Sequence, residues 1–205
     1  MEVFTDYVCP WCYLNAARIE RLKRNYAIDV RWVYFPLHPE TPPEGTPLVQ
    51  LFAGRNLDIE AMHSRLKSLM DAEGLPYGVR THTYNSRLAQ ELAKWAETQP
   101  GSDGIHDALF QAYFVRGLNI SRIDVLLDVV RSVNIPEDAA REVLEKRTFK
   151  EAVDADWAQA RQYGVTAVPT LVSGSYALAG AQPYETLERF VRQTALRPQA
   201  EDDTV

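Results

Sequence analysis

The only two cysteines of this 205-residue chain stand three positions apart in the stretch YVCPWCYL, Tyr7 to Leu14. Thiols at that spacing suit three kinds of chemistry: half of a metal site, a tight structural disulfide, or a redox pair. A tetrahedral zinc site asks for four ligands, commonly a second Cys pair or a His pair at short spacing. The chain has no second Cys pair, and His38, His63, His82 and His106 lie far apart along it, so no metal site is expected. A disulfide closing so short a loop removes little entropy from the unfolded chain.

The redox reading has positive support. Glu2–Thr5 reads as a short strand, and a helix is expected from Pro10. Cys9 then falls at or beside the helix N-cap, where unpaired backbone N–H groups and the positive end of the helix dipole meet. Such a place stabilises an anion by roughly 1–2 kcal/mol, and the thiolate is the reactive form of cysteine. Cys12 lies one turn on, where its S–H can donate to the Cys9 sulfur. Cys9, at the exposed helix end, is the expected nucleophile, and Cys12 resolves the mixed disulfide. Pro10 pre-sets the first helical turn and lacks an N–H that would have been orphaned there. Trp11 is expected to be exposed, shaping partner contacts and solvent access. Asp6 would oppose thiolate formation if it faced the sulfur, so it is read as a solvated loop carboxylate.

The elements that must position this pair follow from the pattern around it. Leu14, Ala17, Leu22 and Tyr26 recur at helical spacing. IDVRWVYF then alternates, with Ile28, Val30, Trp32 and Tyr34 on one side, as a strand does. The first part therefore reads β-α-β, and a right-handed crossover makes the two strands parallel. PLHPETPPEGTP, with five prolines in twelve residues, reads as an extended connector. Helices are predicted over 57–73, 85–98, 103–116, 121–133, 136–146 and 148–163. Asn85, Ser121 and Pro136 stand where caps or first-turn residues belong, and Gly164 where a C-cap does. Leu109, Phe110, Tyr113 and Phe114 form an aromatic-rich face suited to a core or to the interface with the β-containing part. PTLVSGSYALAG reads as an antiparallel hairpin around Gly-Ser. PYETLERFVRQTAL closes as a helix, and RPQAEDDTV as a frayed tail. The expected units are a β-containing part over 1–44 and 164–205 and a helical insertion over 45–163.

Composition narrows the function classes. Hydrophobic residues are 46% and charged residues 24%, ordinary for a globular protein, and the net charge is −6. A negative chain repels phosphate backbones and anionic lipid, so neither nucleic acid nor membrane is an expected partner. No apolar run approaches the ~20 residues of a membrane span. The N-terminal residues have neither the basic nor the apolar region of a signal peptide, and a cytoplasmic location is the expectation. There the thiols would be kept reduced, favouring reductase or isomerase over oxidase work.

Together, DYVCPWCYL, VRWVYFPLHPETPPEG, YNSRLAQELAKWA, LFQAYFVRGLNI and YGVTAVPTLVSGSYALAGAQPYETL resemble the thioredoxin-fold oxidoreductases of the DsbA family. The likeness is to their FrnE-like branch, related to the 2-hydroxychromene-2-carboxylate isomerases. The resemblance implies an α/β thioredoxin fold: β-α-β, then β-β-α, in one mixed sheet with a large helical insertion. It implies that Cys9 and Cys12 are the redox pair. It further implies that the Val168–Pro169 bond is cis and faces them, presenting the Val168 backbone to an extended substrate. The expected function is disulfide exchange, isomerisation or reduction on protein or small-molecule thiols and disulfides, with no bound cofactor. Glutathione could serve as thiol co-substrate. The alternative is a glutathione-dependent isomerase or transferase of the kappa or chromene-carboxylate type. Those relatives typically carry Ser at the first motif position, so two intact cysteines argue against it. A homodimer is compatible with the aromatic stretches. His38 follows the second strand and should lie at the sheet edge of the cysteines. It either tunes Cys9 and touches substrate or is a plain loop histidine, the favoured reading; His63, His82 and His106 are expected as surface or packing residues.

Overall fold

The computed structural model describes residues 1–55 and 57–194. The chain opens with β1 (Glu2–Thr5), α1 (Pro10–Asn25) and β2 (Arg31–Tyr34). Next come β3 (Thr46–Pro47), a one-turn α2 (Leu48–Leu51), α3 (Ile59–Ala72) and β4 (His82–Thr83). The helical run continues with α4 (Arg87–Ala96), α5 (Ile105–Phe114), α6 (Ile123–Ser132), α7 (Glu137–Lys146) and α8 (Lys150–Gln162). The chain returns to the sheet through β5 (Thr170–Ser173) and β6 (Tyr176–Ala179), and α9 (Tyr184–Thr194) follows. The expected tail over 197–205 and the last residues of the closing helix lie outside the described residues.

The main sheet has the order β2-β1-β5-β6. β1 runs parallel to β2, with Val3 opposite Trp32 and Thr5 opposite Tyr34. β5 pairs antiparallel to β1, and β6 antiparallel to β5. The expected β-α-β and β-β-α halves are therefore joined in one mixed sheet, with β1 at its centre. The insertion is helical apart from the two-residue ladder of β3 with β4.

Two local readings are corrected. The second strand starts at Arg31, three residues later than its alternation suggested; Ile28 and Val30 are half-buried before it. Nor does it alternate in burial: Trp32, Val33 and Tyr34 are all covered. α8 packs against β2, so both faces of the strand are buried and the one-face pattern does not apply.

The insertion is pinned by charge as well as by apolar packing. Glu91, on α4, is wholly buried. It accepts from Arg87 Nε at 2.6 Å, from Arg147 Nε at 2.6 Å and from Arg147 Nη2 at 2.7 Å. Arg147 caps α7 in the left-handed conformation, at φ 54°. A non-glycine residue rarely adopts that backbone, and here the side chain is held by two bonds to one carboxylate. The aromatic face of α5 is core and interface at once. Phe110 lies 5.0 Å from the Tyr7 ring and 5.4 Å from the Tyr13 ring, centroid to centroid. Tyr7 and Tyr13 flank the cysteine motif, so the helical block directly supports the loop between β1 and α1.

Candidate active site

The loop Asp6–Cys9 leaves the end of β1 and turns at once into α1. Cys9 is the N-cap residue of α1 in extended conformation (φ −93°, ψ 114°), and Pro10 occupies the first helical turn. The Cys9 carbonyl accepts from Cys12 N at 3.0 Å and Tyr13 N at 3.2 Å, while Cys9 N donates to the Asp6 carbonyl at 3.1 Å. The sequence thus places the first thiol at the helix N-terminus and the second one turn along. Both are free thiols.

Neither thiol stands at an exposed helix end, as Cys9 was expected to. Cys9 is 3% exposed and Cys12 1%. The cover comes from the far end of the chain. The Val168–Pro169 peptide is cis, and Cys9 Sγ donates to the Val168 carbonyl at 3.5 Å. Val168 and Pro169 are themselves buried, while Thr166 and Ala167 before them are exposed. Trp11 is half-buried against the core instead of projecting into solvent. Burial pushes the Cys12 thiol well above its ordinary range, and its hydrogen bond to Cys9 raises it further. Cys12 therefore holds its proton.

Asp6 is the largest departure from expectation. It is wholly buried, not solvated. Its Oδ2 accepts from Leu37 N at 2.9 Å and its Oδ1 from Val8 N at 3.2 Å. Burial raises its carboxyl to about 6, against the Ser86, Leu37, Val8 and Gln90 groups that favour the charge. The carboxylate thus ties the cysteine loop to the connector after β2 and to the start of α4. Both oxygens face N–H donors, so Asp6→Asn puts an amide N–H against one of them and should destabilise the fold.

The pH dependence has a definite sign. A carboxyl raised in the folded state stabilises the protein below its unfolded value near 3.8, and that contribution is lost as pH rises through about 6. Asp6→Asn lacks this dependence. Its stability deficit against wild type, from urea unfolding, should therefore be larger at pH 4 than at pH 7, by about 2 kcal/mol. An equal deficit at both pH values would contradict the assignment.

A second buried polar group supports the same loop. Tyr7 Oη lies 2.6 Å from His106 Nδ1 and 3.2 Å from Tyr34 Oη, and Tyr34 donates to Glu97 at 3.0 Å. Burial, then the charges of Lys23 and Lys94, press His106 down to about 3. It is neutral at physiological pH and serves as packing, as expected of it. His38 is half-buried in the proline-rich connector. Burial, then Arg55 and Arg80, hold it below its ordinary value. Among the described residues its ring makes no hydrogen bond to either cysteine.

The structure thus gathers Cys9, Pro10, Cys12 and Val168–Pro169 in one place and leaves His38 in the connector. A cavity of about 530 Å³ between α1 and α5 is lined by Tyr13, Trp32, His106 and Phe110 but by neither cysteine. A groove of about 410 Å³, lined by Tyr163, Ala167, Thr170 and Tyr176, runs beside the cis-proline turn. Asp6 and Tyr7 were missed as site supports. The available signal was their place in a four-residue passage between a central strand and a helix, where a side chain has little route to solvent.

Known proteins share this layout. A probable DsbA oxidoreductase from Streptomyces coelicolor superposes with a TM-score of 0.84 at 25% identity, over 96% of this chain and 92% of that one. A 2-hydroxychromene-2-carboxylate isomerase gives 0.75 at 18% identity over 94% of each chain, a likeness of fold. The cytosolic disulfide reductase DsbM from Pseudomonas aeruginosa gives 0.67 at 16%, over 94% of this chain and 98% of that one, again a likeness of fold. The uncharacterized protein YwbO of Bacillus subtilis is 25% identical over 192 residues, 93% of this chain and 94% of its own length. The family model of the DSBA-like thioredoxin domain matches residues 1–192, from β1 through most of α9, and so takes in the paired thiols and the cis-proline turn together. On that match the chain belongs to the DSBA-like thioredoxin domain family.

Proposed function

We propose that the chain is a thiol–disulfide oxidoreductase in which Cys9 attacks and Cys12 resolves. The carrying observation is the arrangement of the two thiols. Cys9 is the N-cap residue of α1, at the positive end of the helix dipole. Cys12 sits one turn behind, enclosed at 1% exposure, where burial holds its thiol well above its ordinary range. The Val168 carbonyl on the other side is the backbone group that an extended substrate strand would meet. Substrates are disulfide- or thiol-containing proteins or small molecules, with glutathione as a thiol that could return the pair to its reduced form. In a reducing cytoplasm the direction is reduction or isomerisation.

The reaction balances as an exchange. The Cys9 thiolate attacks one sulfur of the substrate disulfide and releases the other as a thiol. Cys12 then attacks Cys9 and releases the second. The protein dithiol is oxidised by two electrons and the substrate disulfide reduced by two. Because the sulfurs are almost covered, the reading expects strong selection among substrates by shape at the Trp11 and Val168 rims.

The test is stoichiometric. One equivalent of reduced chain should reduce one equivalent of a protein disulfide and emerge with a Cys9–Cys12 bond, mapped by peptide mass spectrometry. Substrate thiols appearing without that bond would refute the reading. The alternative, a glutathione-dependent isomerase, shares the fold of the chromene-carboxylate isomerase. It would be favoured if a glutathione-dependent isomerisation or conjugation survived Cys9→Ser.

A further inference from the structure

Two cavities meet at His106. The one between α1 and α5 has a volume of about 530 Å³. The other, of about 290 Å³, opens beside Val30, Arg31 and Glu97. Both are lined by Glu20, Trp32, Asp103 and His106, so these four residues form the waist between them. Neither is lined by a cysteine, and the exchange chemistry makes no use of either.

The proton count at this waist leaves acceptors without donors. Glu97, Tyr34, Tyr7 and His106 form a chain with contacts of 3.0, 3.2 and 2.6 Å. Each hydroxyl brings one proton and the neutral imidazole one more. A carboxylate only accepts, so Tyr34 donates to Glu97. The other two contacts both hold a proton only if Tyr7 donates to Tyr34 and His106 Nδ1 donates to Tyr7. His106 Nε2 is then a bare acceptor. It stands 3.8 Å from Glu97 Oε1, a second acceptor, with no proton between them. Asp103 has no ion pair among the described residues. Three cations of these walls are engaged: Lys23 with Glu20 at 2.9 Å, Arg31 with Glu2 at 2.7 Å, and Arg21 at 3.9 Å over the Tyr184 ring. Arg24 is exposed in the last turn of α1. Lys94 bonds Asp156 at 2.7 Å and lies 3.8 Å from the other Glu97 oxygen.

We propose that the waist binds a small-molecule primary amine with an apolar body. The ammonium group bridges His106 Nε2 and Glu97 Oε1 beside Asp103. The body lies in the larger cavity, against Tyr13, Ala16, Ala17 and Phe110. An ammonium group carries three donors and no acceptor, which is what two bare acceptors lack. The Trp32 ring, 4.9 Å from that of His106 between centroids, supplies an aromatic wall of the kind that attracts cations. A carboxylate or phosphate would bring further acceptors to a place that already has too many. The competing occupant is a bridging water, which has no use for the larger cavity.

The test is calorimetric titration of the full reduced chain at neutral pH with phenethylamine, and with 2-phenylethanol as its uncharged isostere. The amine should bind at least about tenfold more tightly than the alcohol. Glu97→Gln should weaken the amine about tenfold and leave the alcohol within about twofold. Ala17→Leu fills the larger cavity and should weaken both about tenfold. If Glu97→Gln does not fold, Asp103→Asn replaces it and should weaken the amine about threefold and the alcohol not at all. Nitrogen NMR of the ligand-free chain should show the His106 proton on Nδ1. No binding of the amine, which leaves water as the bridge, overturns the proposal. So do equal affinities for amine and alcohol, an affinity that Glu97→Gln or Ala17→Leu does not change, or a His106 proton on Nε2.

Discussion

Cys9→Ser should lower disulfide reduction at least ~10³-fold, because it removes the atom that forms the covalent intermediate. Cys12→Ser should behave differently. It keeps the first attack and accumulates the mixed disulfide between Cys9 and substrate, since nothing remains to resolve it. The asymmetry follows from position. Cys9 holds the N-cap of α1, while Cys12 is enclosed one turn later, where burial keeps its thiol protonated. Both variants should fold, because neither thiol is bonded to the other in the reduced chain. The measurement is turnover of a protein disulfide with each variant, with intact-mass detection of the adduct. An adduct on Cys12 in the Cys9→Ser chain, formed at the wild-type rate, would reverse the assigned roles.

Glu91→Ala should be the most damaging substitution away from the thiols, at about 3–5 kcal/mol. Glu91 is wholly buried on α4 and takes three hydrogen bonds from Arg87 and Arg147. Removing it takes the shared acceptor from Arg87 and Arg147 and leaves a cavity at the buried end of the cluster, and deleting one partner of a buried ion pair is the costly outcome. The loss also frees the left-handed cap of α7 at Arg147. For a chain of this length the deficit corresponds to a fall in melting temperature of roughly 6–20 °C. Arg87 retains Asp154 as a partner at 2.8 Å, so Arg87→Ala deletes the cation and the carboxylate keeps Arg147. Its cost should be smaller than that of Glu91→Ala. Thermal unfolding followed by circular dichroism measures both; equal costs would show that the cluster does not centre on Glu91.

The site was legible where it depends on neighbours in the chain. The spacing of Cys9 and Cys12, the proline after Cys9 and the strand before it are local facts, and they fix a capped helix start. The mixed sheet was legible for the same reason, since each half carries its own pattern. What escaped depends on residues far away. Cys9 looked exposed because its cover, Val168, lies 159 positions along the chain. Asp6 looked solvated because its partner Leu37 lies beyond α1 and β2. β2 looked half-buried because α8, which closes its second face, follows more than a hundred residues later. Glu91 and Arg147, 56 positions apart, carry no mark of their pairing in either local stretch.

The central claim is that the sulfur at the helix start is the reactive one and the sulfur a turn behind is not. Limiting iodoacetamide on the native reduced chain, followed by peptide mapping, tests it most directly. The account predicts label on Cys9 and a free Cys12 at early times, with both labelled only after denaturation. Label on Cys12 first, or on both at equal rates, would contradict it.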